Sequence, residues 1–405
     1  MRTLAMVSAT LGLALVALSA FGAEPSPRAR DLGIPFEGIP GPLDAITDVL
    51  GVEVGYTTLV AGGWGSRDGG PQVRTGVTAV LPRGKSGAAP VYAGFFSQNG
   101  NGEMTGTHWI KESGFLEGPI MITNTHSVGV VRDAVISWQV NHNFVPQTTS
   151  VPGVPGRWWS MPVVAETYDG LPLNDINGFH IKPEHAFEAI DSAHNGFIDE
   201  GNVGGGTAMR CYGFKGGTGT ASRKIETAAG PFVVGVLVQC NCGERKQLTV
   251  RGVPVGLEIP EKRPLRADAS GQPLDLGSII IVVATDAPLL PGQLERLTRR
   301  ATMGLARTGS SSGNDSGDIF IAFSTANSGA TQRPIATVSV LSNDLISPLF
   351  EATAQATEEA ILNALVAAKS MTGADGRTVE ALPHDALRAA MQKYNRLVTA
   401  ARSTD

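Results

Sequence analysis

Few residues of this chain are cysteine, aromatic or charged. Of its 405 residues three are cysteine, 6% are aromatic and 17% are charged. Three cysteines are too few for a disulfide framework, and a net charge of -5 lacks the basic excess that contacts to nucleic-acid phosphates require. The composition therefore excludes a fold held together by disulfides, predicts no nucleic-acid partner, and favours a densely packed chain with long buried segments.

Long apolar runs are also missing after the first residues. Near the start, Arg2 is followed by an apolar stretch over residues 4–18 and by the small residues Ser19, Ala20, Gly22 and Ala23, which is the pattern of a secretory signal. A membrane span needs about 20 apolar residues, so the sequence predicts no membrane association. We expect residues 1–23 to be a signal peptide and the mature protein to be exported to the periplasm.

The common motifs of metal and nucleotide chemistry are absent. The seven histidines form no His-Glu-x-x-His and no His-x-His, and the glycine-rich residues 201–207 and 213–220 lack the Gly-Lys-Ser/Thr of a P-loop. Cys240 and Cys242 share one face of a predicted strand, but no fourth ligand lies nearby to complete a tetrahedral zinc site. No metal and no cofactor are predicted, and a disulfide between Cys211 and one of these cysteines stays open.

The sequence does contain 50 glycines and an alternation of strand-like and helix-like apolar segments. This alternation predicts sheets layered with helices, with no break that divides residues 24–405 into independent units. The predicted strands and apolar runs are residues 77–81, 91–96, 119–125, 161–166, 232–239, 278–283, 319–323 and 335–341. The predicted helices are residues 128–140, 185–192, 291–307, 349–369 and 379–400.

The most informative position is the junction between Gly277 and Ser278. Residues 258–277 are rich in proline and charge, whereas an apolar, β-branched run over residues 279–283 follows the serine. A serine at the start of a buried strand, behind a flexible glycine, can attack the carbonyl of the preceding residue and cut the chain. Its freed α-amine then serves as the base of an N-terminal nucleophile.

Polar side chains stand at the ends of three further apolar segments. Ser316 and Asp318, two residues apart in extended backbone, share one face, so Asp318 can hold Ser316 while Ser316 hydrogen-bonds the nucleophile. Glu166 and Tyr168 have the same spacing and suit recognition of a substrate ammonium group and of a developing oxyanion. Asn241 can donate to an oxyanion, although each of these patterns taken alone is also typical of a turn that caps a strand.

In combination, these segments resemble the β-peptidyl aminopeptidase and D-aminopeptidase group of self-processing serine hydrolases. The resemblance covers nearly the whole mature chain. Its carriers are Gln98-Asn-Gly-Asn-Gly-Glu-Met-Thr-Gly106, Thr123-Asn-Thr-His-Ser-Val-Gly129, Glu166-Thr-Tyr-Asp-Gly170, Gly201-Asn-Val-Gly-Gly-Gly-Thr207, Gly216-Gly-Thr-Gly-Thr-Ala-Ser-Arg223, Gly277-Ser278, Ala284-Thr-Asp-Ala-Pro288, Ser316-Gly-Asp318 and Ala356-Thr-Glu-Glu-Ala360.

The resemblance implies an α/β layered fold, an αββα sandwich of the N-terminal-nucleophile type. Self-cleavage would give an N-terminal subunit, residues 24–277, and a C-terminal subunit, residues 278–405, that stay associated as one domain. The implied substrates are short peptides or amino-acid amides with a free N-terminus, and the implied assembly is a homo-oligomer. The implied roles are Ser278 as nucleophile, Ser316 and Asp318 as its hydrogen-bonded network, Asn241 and Tyr168 at the oxyanion, and Glu166 at the substrate amine.

Two other functions stay open on the sequence. Ornithine acetyltransferases have a related architecture, so an acyl or aminoacyl transferase, or an amidase, on the same fold is one alternative. Those transferases use threonine at the cut site, where this chain has Ser278. A non-catalytic periplasmic binding or scaffold protein with an inert Ser278 is the other alternative.

Overall fold

The structure, a computed structural model, describes residues 26–63, 72–170, 172–261, 277–373 and 376–398. The predicted signal peptide, residues 1–23, lies outside these ranges and stays a prediction. None of the described helices combines the length and the apolar character that crossing a membrane requires.

The described strands form two main sheets and two short hairpins. The six-stranded sheet has the order β4 (Phe115–Leu116), β3 (Val91–Gly100), β12 (Gly317–Ser324), β11 (Ser278–Thr285), β10 (Gly230–Asn241) and β9 (Gly217–Thr227). The four-stranded sheet has the order β1 (Glu53–Ala61), β2 (Val73–Leu81), β5 (Ile120–Asn124) and β6 (Val163–Thr167). The hairpins pair β7 (Arg210–Cys211) with β8 (Phe214–Lys215) and β13 (Met371–Thr372) with β14 (Thr378–Val379).

The two main sheets lie face to face, with helices on both outer sides. An apolar core between the sheets includes Ile280 and Ile321 from one sheet and Ile122 and Ala165 from the other. The α-helices are α1 (Thr107–Ser113), α2 (Val128–Asn141), α3 (Pro183–Asp191), α4 (Val255–Glu258), α5 (Pro291–Arg307), α6 (Ser347–Ala367) and α7 (His384–Lys393). Helices α5 and α6 pack on the six-stranded sheet, and α2 and α3 pack on the four-stranded sheet. This order of layers confirms the predicted αββα sandwich.

Strand β11 lies inside the six-stranded sheet and is buried over its whole length. It pairs antiparallel with β10 and parallel with β12. Its isoleucines and valines are β-branched, which suits a strand packed on both faces, and burying each such side chain stabilises the fold by about 1.5–3 kcal/mol. This packing fixes the register, and the register places Ser278 beside Asn241 on one side and Gly317 on the other.

The predicted strand over residues 335–341 is wrong. That segment has no strand partner in the part of the chain that the structure describes, and Ile335 is 84% exposed. The side chain of Asn327 instead donates to the Ser339 carbonyl at 3.0 Å and accepts from the Ser339 amide at 2.9 Å. A side-chain amide thus takes the place of a neighbouring strand, which β-branched composition alone does not reveal.

The last predicted helix, residues 379–400, is shorter in the structure. Helix α7 begins after Pro383 and ends at Lys393. Asn395 follows with a φ of 55°, a left-handed conformation that asparagine tolerates and that ends a helix.

Candidate active site

Ser278 is buried, with 5% of its surface exposed, at the first position of β11. Its Oγ donates a hydrogen bond to the carbonyl oxygen of Gly277 at 2.6 Å. The hydroxyl therefore lies directly beside the peptide group that the sequence predicts it to cut.

The Gly277 carbonyl oxygen also accepts a backbone hydrogen bond. The amide nitrogen of Gly317, the parallel ladder partner of Ser278, donates to it at 3.2 Å. Because this oxygen becomes negatively charged when the carbonyl carbon is attacked, the Gly317 N–H is placed as an oxyanion donor. Sequence analysis missed this donor, since a backbone N–H has no residue-type signature, and only the Ser316-Gly317-Asp318 motif marked the segment.

Ser316 and Asp318 flank Gly317 and contact each other. Ser316 Oγ donates to Asp318 Oδ1 at 2.6 Å, and both residues are buried. The expected hydrogen bond between Ser316 and Ser278 is not formed among the described residues, since Ser278 Oγ donates to Gly277 instead. Strand register explains this, because Ser278 pairs with Gly317 and the neighbours of Gly317 point to the other face of the sheet.

Ser316 nevertheless reaches the reacting peptide from the opposite side. Its Oγ lies 3.4 Å from the position that a Cβ on Gly277 would occupy. The structure thus brings Ser316, Asp318 and the Gly277-Ser278 peptide together, with the two serine hydroxyls on different sides of that peptide. The roles of Ser316 and Asp318 in proton transfer stay predictions.

Asn241 ends β10 and is the antiparallel ladder partner of Ser278. The backbone nitrogen of Arg210 donates to Asn241 Oδ1 at 2.9 Å, and Asn241 Nδ2 donates to the Tyr168 carbonyl at 3.1 Å. Because the Arg210 N–H needs an oxygen acceptor, these two contacts assign the orientation of the amide. The second N–H of Nδ2 then has the chemistry of an oxyanion donor.

Tyr168 follows β6 and contacts Asn241 through its backbone carbonyl. Its ring lies over Gly170, two residues later, because a Cβ on Gly170 would come within 2.5 Å of the Tyr168 hydroxyl. Asp169 anchors this loop by accepting a hydrogen bond from Thr75 Oγ1 at 2.6 Å, and burial raises the pKa of Asp169 to about 6. The role of the Tyr168 phenol at an oxyanion stays a prediction.

Glu166 lies within β6 and is 3% exposed. Its Oε1 accepts from the Glu103 backbone nitrogen at 3.0 Å, and its Oε2 accepts from Thr125 Oγ1. Burial raises the pKa of the Glu166 carboxyl, and these donors offset only part of that effect. No arginine or lysine forms an ion pair with Glu166 within the described ranges, so its negative charge suits a cation that comes from outside.

The three cysteines cluster beside Asn241. Cys211 and Cys240 form a disulfide, the pairing that the sequence left open, and Cys242 is a buried thiol. The Cys242 Sγ lies 3.6 Å from that of Cys211 and 3.7 Å from that of Cys240. The disulfide joins β7 to the end of β10 and thereby holds the strand end that carries Asn241.

This arrangement combines a hydroxyl beside a peptide carbonyl, a backbone donor to that carbonyl and a buried carboxylate with no arginine or lysine partner among the described residues. A model of the family described as peptidase family S58 matches residues 44–379 of this sequence. The chain belongs to peptidase family S58. The match extends into both predicted subunits and includes all six predicted site residues.

Curated relatives of this S58 peptidase are aminopeptidases by name. The β-peptidyl aminopeptidase BapA of Sphingosinicella microcystinivorans is 55% identical over 384 residues, covering 92% of this chain and 94% of the relative. The β-peptidyl aminopeptidase BapA of Sphingosinicella xenopeptidilytica is 44% identical over 387 residues, covering 93% and 94%.

Solved structures agree with the fold. The L-aminopeptidase D-ala-esterase/amidase from Ochrobactrum anthropi, described as a variant of the N-terminal-nucleophile hydrolase fold, matches with a TM-score of 0.82 at 45% identity, covering 92% of this chain and 100% of that one. A Burkholderia β-aminopeptidase matches with a TM-score of 0.78 at 46% identity, covering 91% and 99%. These findings confirm the predicted family, the predicted fold class and the prediction of a serine-type aminopeptidase.

Proposed function

We propose that this S58 peptidase is exported, cuts itself between Gly277 and Ser278, and then removes the N-terminal residue from short peptides or amino-acid amides through an acyl-enzyme on Ser278. The observation that carries the proposal is the Gly277 carbonyl oxygen, which accepts from both Ser278 Oγ at 2.6 Å and Gly317 N at 3.2 Å. The nucleophile and an oxyanion donor thus converge on one peptide group.

Self-cleavage follows from that geometry as an acyl shift. Ser278 Oγ loses its proton and attacks the Gly277 carbonyl carbon, and the Gly317 N–H stabilises the resulting oxyanion. The bond from this carbon to the Ser278 nitrogen breaks, the nitrogen takes up the proton, and an ester remains. Water then hydrolyses the ester, which leaves a carboxylate on Gly277 and a free amine and hydroxyl on Ser278.

Peptide turnover would use the same Ser278 hydroxyl, now with a free α-amine beside it. The α-amine of Ser278 accepts the proton from Oγ, which attacks the first amide of the substrate, and the Asn241 Nδ2 group and the Tyr168 phenol are the proposed donors to the oxyanion. The leaving amine takes the proton, and water releases the acyl group. Ser316 Oγ lies beside residue 277 and donates to Asp318, which suits a network that orients the new terminus.

Glu166 supplies specificity for a free N-terminus. Its carboxylate is buried, and its donors in the part of the chain that the structure describes are neutral, namely Glu103 N–H and Thr125 Oγ1. A substrate ammonium group can complete this site with a charge-assisted hydrogen bond. This supports exopeptidase action, because an internal peptide bond offers no ammonium group.

We propose that the preferred substrates are peptides and amides that begin with a β-amino acid. Support comes from three relatives named as β-peptidyl or β-aminopeptidases, one of them 55% identical. The signal-like residues 1–23 support export to the periplasm, and the family resemblance supports a homo-oligomer of processed chains.

Intact mass spectrometry of the purified protein tests the proposal. We expect two fragments that meet at Gly277 and Ser278, and one uncut, inactive chain for Ser278→Ala. The matched control is Ser310→Ala at Gly309-Ser310, the other described Gly-Ser pair, which should be processed like the parent protein. An uncut chain that still hydrolyses aminoacyl 4-nitroanilides would contradict the proposal.

A further inference from the structure

Gly102 lies in the gap between Glu166 and the strand next to the nucleophile. It is exposed, and a Cβ added to it would come within 3.1 Å of Glu166 Oε1, 3.2 Å of Gly317 Cα and 3.7 Å of Ile319 Cδ1. Gly317 is in turn the ladder neighbour of Ser278. The single missing side chain at Gly102 therefore leaves open the space between the carboxylate and the reacting serine.

Neighbouring backbone contacts fix Gly102 in this position. The carbonyl oxygen of Asn101 lies against Gly317, at 2.4 Å from where a Cβ of Gly317 would be. On the other side, the backbone nitrogen of Glu103 donates to Glu166 Oε1 at 3.0 Å. With residues 101 and 103 both held, the loop cannot swing away to make room for a side chain at Gly102 without breaking one of these contacts.

The substrate atoms that must cross this gap are the carbons between the ammonium group and the reacting carbonyl. An α-amino acid has one such carbon and a β-amino acid has two. The geometry points to Gly102 as the residue that determines specificity for β-amino acids, because a side chain there would crowd Glu166 and Gly317 and narrow the space that the second carbon needs. This inference rests on the function proposed above.

Gly102→Ala tests the inference. A methyl group fills about the volume of one methylene, and one methylene in a specificity pocket changes kcat/KM by about 10- to 200-fold. We expect kcat/KM for the 4-nitroanilide of 3-aminobutanoic acid to fall at least about tenfold more than that for the alanine 4-nitroanilide, which is shorter by one methylene. Self-cleavage is followed by intact mass spectrometry alongside, because the added methyl would lie 3.2 Å from the Cα of Gly317, whose N–H donates to the Gly277 carbonyl.

Gly100→Ala is the matched control. It lies two residues earlier in the chain, and its Cβ would meet only Ser97 Oγ, at 3.4 Å, so the ratio of the two kcat/KM values should equal that of the parent protein. Ile319→Val gives an independent reading that does not depend on Gly102→Ala being processed. Removal of the Ile319 Cδ1 methyl widens the same gap, so the ratio should shift toward the β-substrate, and the double variant Gly102→Ala/Ile319→Val should recover part of it.

The outcomes separate the inference from the proposed function. If the parent protein hydrolyses neither substrate, the proposed function fails. If the parent is active but Gly102→Ala lowers both kcat/KM values equally, or leaves both unchanged, the inference alone is overturned. An unchanged substrate ratio in Ile319→Val would also overturn it, even if Gly102→Ala accumulates as an uncut chain.

Discussion

Two buried carboxylates of this protein, Glu359 and Glu166, differ in the groups that face them. Glu359 is fully buried in α6 and is held by Arg223 at 2.6 Å and by Arg30 at 2.5 Å. Glu166 is almost as buried, yet its described partners are a threonine hydroxyl and a backbone N–H. The first carboxylate is neutralised by the protein itself, and the second is not.

The pKa directions express the same difference. Burial by itself would raise the pKa of Glu359, but the hydrogen bond from Arg30 and the charges of Arg223 and Arg30 lower it below its usual value. Burial raises the pKa of Glu166, and neither its two neutral donors nor the smaller influence of His126 reverses the shift. A buried carboxylate held by arginines is part of the folded framework, whereas Glu166, which has no arginine partner among the described residues, fits the proposed site for a substrate ammonium group.

Arg223→Met should break the framework site and have the largest effect. Removing one partner of a buried ion pair leaves an uncompensated charge, and the expected loss is about 3–5 kcal/mol of unfolding free energy. Urea denaturation in the Ser278→Ala background, where the chain stays in one piece, measures it. Lys224→Met, at the exposed neighbouring position, is the control, and a loss for Arg223→Met no larger than that of the control would contradict the comparison.

Glu166→Gln should lower activity without lowering stability, the opposite of the effect expected for Arg223→Met. A hydrogen bond to a charged group contributes about 1.5–3 kcal/mol, so kcat/KM should fall about 10- to 150-fold, mainly through KM. Unfolding free energy at pH 7 should stay equal or rise. A carboxyl whose folded pKa is raised stabilises the fold at low pH, and this contribution is lost as pH rises through its folded pKa. At neutral pH the Glu166 carboxyl therefore contributes no such stability that Glu166→Gln could remove.

Glu112→Gln, an exposed position on α1, controls for the removal of a negative charge. If Glu166→Gln destabilised the protein by several kcal/mol while KM stayed constant, Glu166 would belong with Glu359 in the framework.

The pH dependence of amine binding sharpens the same comparison. A primary amine such as propylamine carries the ammonium group but no carbonyl, so its inhibition constant reports Glu166 without the Ser278 amine acting as a base. We expect inhibition to weaken about tenfold per pH unit below the pKa of Glu166, which lies above its usual value of 4.5. An inhibition constant for the parent protein that is as independent of pH as that of Glu166→Gln would contradict this role.

The sequence was sufficient to predict the layers and most of the strand ends that the structure brings together around Ser278. Continuous apolar, β-branched runs such as residues 279–283 identify buried strands because the pattern is local. Asn241 and Glu166 could be selected because polar side chains at strand ends stand out against apolar runs. These signals need no knowledge of which strands are neighbours.

Features that depend on which strands and side chains are neighbours in space could not be predicted from the sequence pattern. The Gly317 donor and the separation of the Ser316 and Ser278 hydroxyls follow from the register between β11 and β12. Arg223 and Glu359 are 136 positions apart in the chain, so nothing local pairs them. The failure at residues 335–341 has the same origin, because a strand needs a partner that composition does not supply.

An exposed ion pair on α5 should contribute the least stability of the pairs compared. Glu295 and Arg299 are hydrogen-bonded one helical turn apart, with their side chains 45% and 51% exposed. Water screens this pair, so a double-mutant cycle of Glu295→Ala and Arg299→Ala should give a coupling of only about 0.3–0.5 kcal/mol, which decreases further at high salt. The cycle also removes the contribution of Arg299 stacking over Phe96. A coupling as large as the loss expected for Arg223→Met would mean that pairing itself, and not burial, distinguishes Glu359 from Glu166.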